Sequence, residues 1–192
     1  MSFQNFLCIN QKRKPIPYGG DGVLREDGDA NYGFVCLKGA LDRVDAVPEL
    51  ARDAALRRLA IAVNGNTTAL QSVGCLSSPV NEDAKHRHTG YFEFAFNSRS
   101  RIADASNYFP PFFHFDRMLS ALRDIRPVIY HWELQPCTFT ERENATGFSC
   151  GVTVDTHWAP SSEVADSDWE HSIEHLTTFL QQIGPPADDL IY

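Results

Sequence analysis

The chain has 192 residues, a formal net charge of −8, 43% hydrophobic and 22% charged residues, and a pI near 5.3. That balance excludes long disorder, and the length suits a single domain over 1–192 with a core that needs no covalent staple. Nucleic-acid binding requires clustered cations to displace counterions, and the only basic cluster is Lys12-Arg13-Lys14, so no nucleic-acid partner is expected.

No apolar run reaches the ~20 residues that span a bilayer, so no membrane partner is expected either. The segment Met1-Ser2-Phe3-Gln4-Asn5-Phe6 lacks the basic start and long apolar stretch of a secretory leader. The five cysteines, Cys8, Cys36, Cys75, Cys137 and Cys150, form no C-x-x-C pair. Free thiols in a cytoplasmic protein are therefore expected.

In chain order, Phe6–Ile9 reads as a short strand. Residues 15–31, rich in Pro, Gly and Asp, read as loop and turns. Tyr32–Leu37 reads as a second strand. Val47–Val63 reads as one helix, capped by Asp45, with Pro48 in its first turn and Asn64-Gly65-Asn66 as its stop. Thr68–Leu76 reads as a strand and Asn81–Thr89 as a polar loop. Tyr91–Asn97 alternates, with Phe92, Phe94 and Phe96 on one face, as a half-buried strand does.

Phe112–Ile125 carries an apolar helical stripe ended by Pro127. Val128–Thr140 and Phe148–Trp158 alternate on either side of the polar linker Glu141–Gly147, which makes them a hairpin. A last helix runs from Ser167 or Asp168 to Ile183. The order predicts an α+β two-layer sandwich: an antiparallel sheet of five or six strands with about three helices mainly on one face. Ferredoxin-like topology is a relative of that arrangement.

Several motifs could carry chemistry. Gly147-Phe148-Ser149-Cys150-Gly151 fits the G-x-S-x-G of a nucleophile elbow, but the elbow needs a helix after the serine, and strand is predicted there. His171-Ser172-Ile173-Glu174-His175 fits H-x-x-E-H. Two histidines one turn apart can hold zinc, although here they point away from the apolar stripe and a third ligand is unidentified. Asp27–Gly33 resembles the start of a calcium loop, with Tyr32 where glycine is required and Lys38 where glutamate is required. Gly19-Gly20-Asp21-Gly22 has no helix start behind it to cradle phosphate. His86-Arg87-His88 reads as a solvated loop tip.

Period two across the predicted hairpin gives the most specific constellation. If Tyr130, Trp132 and Leu134 share the dry face with Phe148, Cys150, Val152 and Val154, then His131 and Glu133 share the opposite face with Asp155 and His157, and Glu93 joins them if its strand is adjacent. Such a face suits a basic protein partner, and the five residues are the expected partner-binding site. The functional expectation is an acidic cytosolic binding module, an immunity-type or inhibitor protein of a bacterial host that neutralises a toxin-like partner, with no cofactor. The alternative is a small enzyme, metal-dependent at His131, Glu133, Asp155 and His157 or hydrolytic at Ser149.

Overall fold

The computed structural model describes residues 3–17, 33–184 and 189–191. The fold is mixed α+β, built on one six-stranded sheet: β1 (Phe3–Ile9), β2 (Lys14–Ile16), β3 (Leu70–Glu82), β4 (Lys85–Phe96), β5 (Val128–Phe139) and β6 (Ala145–Thr156). The strand order is β1-β5-β6-β4-β3, and β2 pairs with β5 beyond the end of β1. β1 and β2 run parallel to β5, and the other pairings are antiparallel. A ferredoxin-like sheet would instead interleave two crossover units. Among the described residues, five α-helices, α1 (Pro48–Arg52), α2 (Ala54–Val63), α3 (Arg99–Ala103), α4 (Phe109–Ala121) and α5 (Ser162–Leu180), and two short 3-10 helices, Leu41–Ala46 and Ala105–Tyr108, complete the description.

The first sheet face is the core. Phe92, Phe94, Tyr130, Trp132, Leu134, Cys150, Val152 and Val154 are all fully buried. The long helices lie over them. α5 contributes Trp169, Ile173, Leu176 and Leu180, and α2 packs beside it through Leu56, Leu59 and Val63. α4 sets Phe115 edge-on to Tyr130 at 4.9 Å and tilted against Trp132 at 5.5 Å. Geometries of that kind suit the quadrupoles of aromatic rings.

Several boundaries differ from the sequence reading, each for a local reason. The helix expected over Val47–Val63 breaks at Asp53, whose carboxylate caps α2 by accepting from the Leu56 amide at 2.9 Å. Asp45, the expected cap, pairs with Arg57 instead. Ser161 caps α5, so this helix starts well before Ser167. α4 starts at Phe109 because two prolines fit a first turn that lacks amide acceptors. The polar loop expected over Asn81–Thr89 is a hairpin, with Asp83 and Ala84 at positive φ in a two-residue turn. The strand expected at Tyr32–Leu37 does not form over residues 33–37. The calcium-like and glycine-rich segments lie outside the described residues, except Gly33.

One side chain substitutes for sheet pairing. β4 and β6 part after Phe94↔Cys150. The Tyr108 hydroxyl enters the gap, donating to the Phe148 carbonyl at 2.5 Å and accepting from the Phe96 amide at 3.3 Å. Backbone groups that would otherwise be buried without partners are thereby satisfied.

Beyond Leu134 the buried positions of β5 change from even to odd numbers, with Cys137 and Phe139 fully buried. The β5–β6 register continues unbroken through this point. At that end, by period two, the second face is buried as well. The two glycines of the hydrolase-like motif have separate structural explanations. A Cβ on Gly147 would lie 2.5 Å from the Ile102 carbonyl oxygen, whereas a Cβ on Gly151 would meet nothing within 4 Å. Gly147→Ala should therefore destabilise by about 2 kcal/mol in urea unfolding, while Gly151→Ala stays within roughly 0.5 kcal/mol of wild type.

Candidate functional site: a carboxylate-lined cleft on the second sheet face

The second face carries the polar half of the alternation. Glu133, Gly151 and Glu93 are successive cross-strand partners on β5, β6 and β4, and His131, Thr153 and Tyr91 form the next row. With no side chain at Gly151, the centre of the first row is open. The chain then returns over part of this face through residues 33–50. Phe34, Val35, Leu37, Val47, Glu49 and Leu50 form the opposing wall of a cleft of about 470 Å³, floored by Tyr91, Glu93, Glu133, Gly151 and Thr153. That volume is in the range of small-ligand sites.

The wall is firmly tied. Leu37 and Leu50 are buried. The Lys38 ammonium donates to the Gly65 carbonyl at 2.8 Å and to the Thr68 carbonyl and hydroxyl at 2.9 Å. These acceptors lie just beyond the C-terminus of α2, where the helix dipole favours a cation. The second face is thus covered in part by the protein's own chain, and only the remainder is open to a partner.

Of the five residues expected to act together, four lie on this face, each with a partner of its own. Glu93 is nearly buried, at 4% exposure, and is paired with Lys14 at 2.6 Å. Glu133 accepts from the Asn10 side-chain amide at 2.7 Å. Asp155 pairs with Arg87 at 3.2 Å, and the Arg87 guanidinium also covers the Trp158 ring. His131 stacks on Phe6 and meets the Cys8 sulfur at 3.0 Å. His157 lies past the end of β6, exposed, beside the Trp158 carbonyl. Among the described residues, no three His, Cys, Asp or Glu side chains are grouped to hold a metal ion.

The other candidates resolve differently. Ser149 is fully buried inside β6, opposite Gln135, with strand rather than helix after it. The strand-to-helix turn of a nucleophile elbow is absent there. His171 is exposed, as expected, but His175 is half-buried with Nδ1 3.4 Å from the Tyr130 hydroxyl. Burial pushes the His175 imidazole below its ordinary range, and the neighbouring His171 adds to the effect. His86, Arg87 and His88 are not a loop tip. They lie in β4, where His88 contacts Asp166 at 2.6 Å and stacks on Trp169.

The sequence reading missed Lys14, Asn10 and Cys8, the partners of three of its five residues. It also missed the cleft wall. In the sequence, Lys14 stands out only as part of a basic cluster. Its position opposite a buried glutamate depends on β2 pairing with a strand more than a hundred residues away.

Among the described residues no helix is long and apolar enough to cross a membrane. Compared with protein-family models, with curated proteins and with solved structures, the chain has no significant match.

Lys14→Met leaves the Glu93 carboxylate without its cation, and a cost of about 3 kcal/mol is expected in denaturant unfolding. The double variant Lys14→Met/Glu93→Gln should recover part of that loss, because no charge then remains buried alone. A second expectation concerns pH. Because the folded state holds His175 below its unfolded value, the unfolded chain binds the proton more readily. The contribution from His175 is complete above roughly pH 6.5 and declines as pH falls from there toward the folded value. The urea midpoint of wild type should fall over that window more than the midpoint of His175→Gln.

Proposed function

We propose that this chain is an acidic binding module whose open second sheet face engages a basic protein, with one basic side chain of that partner entering the cleft. The observation that carries the reading is the cleft itself: about 470 Å³, with Glu93, Glu133 and Glu49 among its lining residues, in a chain of net charge −8. Long-range attraction would favour a cationic partner. The mixture of carboxylates with Val35, Leu37, Val47 and Leu50 suits the apolar stem and charged head of lysine or arginine. Lys14 neutralises Glu93 and leaves Glu133 and Glu49 to provide the negative field.

The biological form that fits best is an immunity-type or inhibitor protein, bacterial and cytoplasmic, that neutralises a toxin-like partner by covering it. Such a role needs a fixed, complementary surface and no chemistry. The surface here is fixed by strand pairing on one side and by the Lys38 anchor on the other. The enzymatic alternative has less support, because Ser149 is enclosed in a strand and the face charges are individually engaged.

Two measurements test the reading. Titration with N-acetyl-arginine methylamide, followed by amide NMR shifts, should perturb Gly151, Thr153 and Glu93 first. In host cells, the chain should suppress the toxicity of a basic protein that it binds at one-to-one stoichiometry. Glu133→Lys and Gly151→Leu should each weaken that binding about tenfold or more without lowering the thermal midpoint appreciably. Undiminished suppression by both variants would remove the cleft from the contact surface.

A further inference from the structure

Beside the cleft, at the sheet edge, a second constellation shares Glu133 with the cleft floor. Cys8 on β1 and His131 on β5 lie on neighbouring parallel strands, with Sγ and Nε2 3.0 Å apart. Phe6, two residues before Cys8 and itself 43% exposed, stacks on the imidazole with ring centroids 4.7 Å apart. The stack holds the ring plane, and both Cys8 and His131 retain partial exposure. Next to the thiol in register is Glu133, whose carboxylate is held by Asn10.

The four other cysteines lack this arrangement. Cys137 and Cys150 are buried. Burial pushes the Cys75 thiol up to about 12. Cys36 is also raised by burial, and although the Arg142 guanidinium lies near it, an arginine cannot accept a proton. Among the described residues, Cys8 is the cysteine with an imidazole that can take the proton within hydrogen-bond reach.

We propose that Cys8, with His131 as its general base, is a covalent modification site selective for small cationic disulfides. Burial, and then the Glu133 charge, raise the Cys8 thiol above its ordinary range, so the thiol is protonated at rest, and in the Nδ1–H tautomer of His131 the Nε2 atom accepts from it. Cys8 Sγ first gives its proton to His131 Nε2, and the thiolate so formed attacks one sulfur of the disulfide. A new S–S bond forms as the original S–S bond breaks, and the departing thiolate takes the proton from the imidazolium and leaves as a free thiol. Cys8 is oxidised to the mixed disulfide and the leaving half of the reagent is reduced. The Glu133 carboxylate, reinforced by the acidity of the whole chain, attracts a cationic reagent and repels an anionic one. This site does not depend on the partner-binding reading.

The test is thiol exchange on the full chain at low ionic strength, with each cysteine followed by peptide mass spectrometry. The probes are cystamine, which is cationic, and 3,3′-dithiodipropionate, which is anionic. Cystamine should modify Cys8 about tenfold or more faster than Cys36, and several-fold faster than the anionic reagent does. Raised salt or Glu133→Gln should shrink the charge preference, and His131→Gln should slow Cys8 about tenfold. Cys137 and Cys150 report folding in every sample by staying unmodified. Equal rates at Cys8 and Cys36 in wild type, no preference between the two reagents, or an undiminished Cys8 rate in a folded His131→Gln protein would each overturn the proposal. If His131→Gln unfolds, the two wild-type comparisons still decide it.

Discussion

The pairing of β5 with β6 is the constraint on which the rest of this structure depends. Twelve residues on each strand meet in continuous register, from Val128↔Thr156 to Phe139↔Ala145. Because side chains alternate, that one register assigns every residue of both strands to a face. It sends Tyr130, Trp132, Val152 and Val154 under the helices and leaves His131, Glu133, Gly151 and Thr153 on the other side. A one-residue slip would bury His131 and Glu133 beneath α4 and α5 and turn two large aromatics toward the cleft. Neither set of residues has partners in the other's place, so the slipped form has no competing stability.

The second face shows how a sheet can be both core and surface. Near Phe139 and Ile16 it is buried; near His131 it is partly exposed. The cleft lies between these zones, where the returning segment 33–50 meets the open floor at Gly151. Two cations hold the boundary. Lys14 neutralises a glutamate that is otherwise enclosed, and Lys38 ties the segment to the end of α2. Burying a carboxylate without a cation would cost several kcal/mol. The salt bridge therefore allows acidity to be carried into a cleft rather than confined to the rim.

The fold was largely legible in the sequence because its main elements are written in period. The alternation over Phe92–Phe96 and over both arms of the β5–β6 hairpin gave strands and faces directly. Local chemistry was less legible where two signals compete. Asn81–Thr89 is polar and looked like a loop, but turn residues at positive φ and strand pairing on one side prevail over composition. Asp45 and Asp53 are both plausible caps, and only packing decides between them. The site was legible in part. Period two placed Glu93, His131, Glu133 and Asp155 on one face. It could not supply Lys14, Asn10 or Cys8, because β1 and β2 reach β5 by long-range parallel pairing that leaves no local trace.

The glycine pattern shows why a motif needs its structural context. Gly147 and Gly151 flank a serine at hydrolase spacing, yet neither glycine serves that serine. Gly147 is small because the α3 backbone lies against it, at the point where β4 leaves β6 and Tyr108 fills the gap. Gly151 is small where Glu133 and Glu93 would otherwise be separated by a side chain, and its absence of bulk gives the cleft its depth. Ser149 between them is enclosed by the same transition that buries the second face beyond Leu134. A catalytic serine needs exposure on a strained turn, whereas this one gains burial in a regular strand. The same five letters thus encode a packing contact and a cleft floor, and the difference lies in the strand that runs through them.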